Sequence, residues 1–135
     1  GLQIISAMRV AQARGVKFRC FVPVMAASMA FTILANCDQR YVLEQTLLLW
    51  HPVKVGLRGE LDSTELLYQG QQLRDFEKVW NPWLITKLGI SSKLFYYNYR
   101  HETLWTAQQL LKVSPKFVTV VDDFKGVDNP FGMGD

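Results

Sequence analysis

Residues 21–35, FVPVMAASMAFTILA, constrain the fold of this chain more than any other stretch. The run is apolar but for Ser28 and Thr32, yet it is shorter than the roughly 20 residues of a membrane span and it contains Pro23. Proline removes a backbone donor and breaks a helix interior. The segment therefore reads as a buried strand, a sharp turn of small residues, and an alanine-rich helix. That arrangement sets Ser28 at a helix N-terminus, where unpaired backbone N–H groups point outward. Its small neighbours Ala26 and Ala27 leave room for a substrate backbone.

The rest of the composition narrows the class. With 135 residues, 49% of them apolar and 13% aromatic, the chain makes one domain with a sizeable core and is not disordered. The net charge is +3, and the Lys and Arg residues are scattered rather than striped, so no nucleic-acid partner is expected. Cys20 and Cys37 fit neither a metal nor a redox spacing and read as two buried thiols. They leave the compartment open, leaning to the cytoplasm. No basic region precedes an apolar run at the N-terminus, so no signal peptide is visible.

Periodicity predicts a helix over 3–14 closed by Gly15, a strand over 17–24, a helix over 27–37, and strands over 40–43 and 46–50 stopped by Pro52. A loop at 53–61 follows. From Asp62 to Lys87 the spacing is helical, with Asp62 or Ser63 as cap, Glu65 reaching back, Pro82 kinking or dividing the helix, and Gly89 ending it. Ser91 and Ser92 start another helix through Tyr99. Thr103 caps one more through Lys112, and 117–121 is a strand. Alternating helices and strands imply an α/β fold. The first helix starts at once, with no strand before it, and its apolar face needs cover. Trp80, Trp83 and the FYYNY run at 95–99 make an aromatic middle, suited to the core or to an apolar groove or subunit surface.

The candidate chemistry is nucleophilic. A serine hydroxyl is a weak nucleophile until a base takes its proton, and His51, closing TLLLWH, is a base suited to neutral pH. The Met29 N–H is placed to stabilise an oxyanion. The plainer alternatives are a Ser28 that caps its helix and a His51 bonded to nearby backbone. A third residue would orient the imidazole; Glu102 is the first choice, with Asp122, Asp123, Glu44 and Asp38 as rivals. Two histidines and two unrelated cysteines do not make a zinc site.

At VMAASMAFTILANCDQRYV and LLLWHPV the chain resembles the Clp-protease/crotonase superfamily, especially its ClpP-like serine peptidases. Ser28 falls on the family's nucleophile, Met29 on its oxyanion residue and His51 on its general base. RYVL at 40–43 matches the strand between them. Val24 stands where the family pattern has glycine. TLWTAQQLL is similar to the family's later helix start, which brings the catalytic aspartate's place to Glu102. Gly1-Leu2 corresponds to the trailing edge of the glycine-rich oxyanion loop, so Gly1 becomes a second oxyanion donor. The resemblance implies a ClpP/crotonase-like spiral βαβ fold over 1–121, lacking its first strands, with 122–135 as a C-terminal tail. It implies a serine endopeptidase working through an acyl-enzyme, without metal or cofactor. The expected partners are a peptide or protein substrate, further copies of the chain in a homo-oligomer, and an unfoldase or other accessory protein. The alternatives are an inactive ClpP-like scaffold and an acyl-CoA-binding enzyme of the crotonase type.

Overall fold

A computed structural model describes residues 2–52, 54 and 59–127. Gly1, most of the 53–61 loop and the end of the predicted tail lie outside the described residues. In chain order the elements are α1 (Leu2–Ala13), β1 (Arg19–Val22), β2 (Met25–Ala27), α2 (Met29–Ala35), β3 (Gln39–Val42), β4 (Leu47–Leu49), α3 (Ser63–Leu88), α4 (Ser92–His101), β5 (Trp105–Thr106), α5 (Ala107–Leu111) and β6 (Thr119–Val120). A 3-10 turn follows at Phe124–Gly126.

The architecture is mixed α/β with two three-stranded sheets, ordered β1-β3-β6 and β2-β4-β5. The first is parallel throughout; in the second, β2 and β4 are parallel and β5 is antiparallel to β4. The single strand expected over 17–24 is split. Pro23 carries no N–H for a ladder, and the chain leaves one sheet before it and enters the other after it. Thr46, fully buried, ties the two corners together: its hydroxyl donates to the Val22 carbonyl at 2.8 Å and accepts from the Leu43 N–H at 2.9 Å.

The core runs between the sheets and helices α2 to α5. Phe31, Trp50, Phe95, Leu48, Ala107 and Leu110 are its centre, each 2% exposed or less. Helix α1 lies against this body by polar and aromatic contacts. Arg9 sits 5.1 Å from the ring centroids of both Trp80 and Trp83, and the Gln12 amide donates to the Asn36 carbonyl at 2.8 Å. Ile5 and Met8 are buried, whereas Ile4 and Val10 of the same helix stay exposed.

The helix borders follow their caps. The Asp62 carboxylate accepts from the Glu65 N–H at 2.8 Å, and Gly89, at φ 67°, closes α3. Pro82 neither divides nor ends α3, which runs 26 residues through it. Ser91 caps α4 through the Leu94 N–H. The cap of α5 is Thr106 rather than Thr103, in a reciprocal capping box with Gln109. That shift lets Trp105 and Thr106 pair with β4 first. Phe124 packs edge-on against Phe21, and Val127 is buried, so the start of the predicted tail belongs to the body.

Cys20 and Cys37 form a disulfide, not the two thiols expected. Parallel pairing of β1 with β3 aligns Cys20 with Arg40 and brings Cys37, just ahead of β3, within a Cα separation of 6.1 Å. Such bonds persist in oxidising surroundings, which counts against the cytoplasmic leaning. The 17-residue separation encloses β2, Ser28 and α2. Closing a loop of this size restricts the unfolded chain by about 3 kcal/mol. Replacing both cysteines with serine is expected to lower unfolding stability by about that amount, measured by urea titration. An unchanged stability would show that the bond contributes nothing.

Candidate active site

The two parallel strands β2 and β4 set the site. Their register pairs Met25 with Leu47, Ala26 with Leu48 and Ala27 with Leu49. Both strands end at the same edge, so Ser28 leaves one as Trp50 and His51 leave the other. The Ser28 N–H donates to the Leu49 carbonyl at 3.2 Å, which fastens the turn to that edge. Ala26, 3% exposed, lies in the core where a larger side chain would push β2 outward.

Ser28 has φ 58° and ψ −126°. A non-glycine residue in this sparsely populated region is strained by about 1–3 kcal/mol. Helix α2 begins at the next residue. The Ser28 carbonyl accepts from the N–H groups of Phe31 and Thr32, at 3.1 and 3.3 Å. Its side chain makes no capping hydrogen bond. The hydroxyl is therefore not employed as a helix cap, the plainer role the sequence allows it, and Ser28 is exposed. Met29 follows as the first residue of α2, where helix geometry leaves its N–H without an intrahelical acceptor.

His51 is half-buried, two residues past the end of β4. Its Nδ1 lies 2.7 Å from the Pro52 carbonyl oxygen. A carbonyl only accepts, so Nδ1 carries the hydrogen and donates it. In the neutral tautomer with that hydrogen, the lone pair lies on Nε2. The plainer expectation of a histidine bonded to nearby backbone is met.

Glu102 does not precede a helix. It ends α4 at φ 50°. Its carboxylate pairs with the Lys54 ammonium at 2.7 Å. That hydrogen bond, and next the Lys54 charge itself, hold the exposed carboxyl below its usual range; the His51 charge pulls in the same direction. Glu102 thus stands within electrostatic reach of His51 while bonded to another residue. The rival acids are placed elsewhere. Asp38 accepts from the Phe18 N–H at 2.8 Å and the Gln12 amide at 3.1 Å, and those bonds lower its carboxyl in turn. Glu44 and Asp122 line a separate hollow with Leu43 and Val121, and Asp122 and Asp123 another with Val120.

Ser28, Met29 and His51 line one cavity of about 180 Å³. Its walls are Trp50, Tyr99 and a stripe on α3, Phe76, Trp80 and Leu84, at four-residue spacing. Thr32, one turn beyond Ser28, and Asn81 also line it, with Pro52 and Lys54 beside His51. Neither Thr32 nor Asn81 is legible in the sequence as a site residue, although Thr32 is four positions from Ser28 on the same helix face. Of the FYYNY run, Phe95 and Tyr99 are buried and Tyr97 is exposed. Among the described residues no group of three or more His, Cys, Asp or Glu side chains could hold a metal ion, and no helix is long and apolar enough to cross a membrane.

No protein-family model matches the chain, and no curated protein matches it.

Proposed function

We propose that the chain is a serine endopeptidase of the ClpP-like kind, cleaving peptide bonds through an acyl-enzyme on Ser28. One observation carries this reading: a serine with positive φ and an uncapping hydroxyl lines the same cavity as a histidine whose Nδ1 is already committed. An exposed, strained serine between strand and helix is a geometry that presents Oγ to a substrate.

In the proposed reaction His51 Nε2 takes the Ser28 proton as Oγ attacks the peptide carbonyl. The Met29 N–H, at the positive end of α2, stabilises the oxyanion. His51 then protonates the departing amine, and a water deprotonated by the same nitrogen releases the acid. The Pro52 carbonyl fixes the imidazole. Strand β2 lies at an edge of its sheet, with Val24 and Met25 exposed, which suits an extended peptide added beside it. The proposal includes a homo-oligomer, for which exposed Leu66, Leu67 and Val79 on α3 offer apolar surface, and an unfoldase or other accessory partner. A catalytically inactive scaffold is favoured by one feature, the engagement of Glu102 by Lys54.

A fluorophosphonate probe separates the two. The folded protein is expected to take up one label, located on Ser28 by mass spectrometry, and Ser28→Ala is expected to take up none. A folded wild-type protein that stays unlabelled would contradict the proposal.

A further inference from the structure

The polar side chains around the cavity are nearly all accounted for. His51 is bonded to Pro52 and Lys54 to Glu102, and the Thr32 hydroxyl lies 3.4 Å from the Ser28 carbonyl. Asn81 is different. It is 4% exposed, lines the cavity, and its buried Nδ2 has no hydrogen-bond partner among the described residues. An unsatisfied buried amide is costly, and this one sits in α3 between apolar neighbours that form the cavity wall, Trp80 and Leu84. Its helix offers an obvious local acceptor, because Pro82 has no N–H and leaves the Lys78 carbonyl without its usual partner. The amide nevertheless stays unpaired.

We infer that this cavity receives the side chain of the residue whose carbonyl Ser28 attacks, and that Asn81 selects a neutral side chain with an apolar stem and a hydrogen-bond acceptor at its end. Glutamine has that chemistry. This inference rests on the peptidase reading and adds the substrate class. The stem packs against Phe76, Trp80 and Trp50, and the terminal carbonyl oxygen accepts from Asn81 Nδ2. A wholly apolar side chain of equal length fills the same space, displaces water and leaves the amide unpaired. A site built around a buried donor discriminates strongly against a ligand that lacks the acceptor.

The test uses two coumarin-releasing peptides identical except for glutamine or norleucine before the cleaved bond. Wild-type protein is expected to favour glutamine in kcat/KM by about tenfold or more. In Asn81→Leu the ratio is expected to fall to about one, through a larger loss on the glutamine peptide than on the norleucine peptide. A wild-type ratio near one overturns the inference even if Asn81→Leu does not fold. Equal loss on both peptides in Asn81→Leu also overturns it, since the amide then serves substrate backbone or the fold. Labelling of Ser28 by a small fluorophosphonate without a side chain runs in parallel. Labelling without a glutamine preference, or without cleavage of the glutamine peptide, sinks the specificity alone; no labelling sinks the peptidase reading and the specificity together.

Discussion

Replacing His51 with alanine lowers the rate of Ser28 acylation by a fluorophosphonate by about 10²–10⁴-fold, with little change in stability. The size of the effect follows from what the ring does. Ser28 is held at the cavity by the β2–β4 register and by its N–H bond to Leu49, none of which depends on His51. The alanine variant therefore keeps the turn and loses only the proton acceptor. The imidazole is half-buried, and its Nδ1 bond is to the carbonyl of the next residue. Losing that bond costs about 1 kcal/mol. Stopped labelling assays and a urea titration on the same variant check both halves. Labelling within threefold of wild type would mean that Ser28 reacts without the histidine.

Trp50→Ala is expected to destabilise the protein by about 3–5 kcal/mol. The indole is 2% exposed and joins the two halves of the core. It stacks on Phe95 at 5.7 Å and on Trp105 at 6.4 Å, leans on Phe31 at 5.4 Å, and donates from Nε1 to the Phe95 carbonyl at 3.2 Å. Alanine leaves a cavity and removes the indole hydrogen bond together. Because Trp50 immediately precedes His51 and forms a wall of the cavity, the loss reaches the site as well as the fold. Urea unfolding of wild type and variant measures the difference. A change below about 1 kcal/mol would show that the aromatic cluster is not the centre of the core.

Local chemistry made much of this legible in the sequence. Asp62 and Gly89 mark the ends of α3 because a carboxylate and a left-handed glycine satisfy groups that any helix leaves unpaired. The stretch around Ser28 announces a strand, a tight turn and a helix through its small residues and Pro23. What the sequence hides depends on contacts between distant parts. The Cys20–Cys37 bond arises from the β1–β3 register, which no spacing reveals. Pro82 is tolerated inside α3 by packing that outweighs its missing hydrogen bond. Trp105 is drawn into β5 by Trp50 and Leu48, against the helical pattern of its neighbours. The Pro52 carbonyl that holds the His51 ring is hidden too, because a backbone carbonyl leaves no sequence signal. Asn81 is hidden for a related reason: an asparagine becomes conspicuous only when burial leaves its amide unpaired.

The proposed chemistry requires that one proton pass between Ser28 and His51. Its most direct measurement is the pH dependence of Ser28 acylation, compared with the titration of the His51 ring followed by NMR in the same protein. Acylation should accelerate as the ring loses its proton, the two curves sharing a midpoint, and the inflection should vanish in His51→Gln. A rate that ignores the ionisation of His51, or an inflection that survives its replacement, would show that the serine and the histidine do not act together.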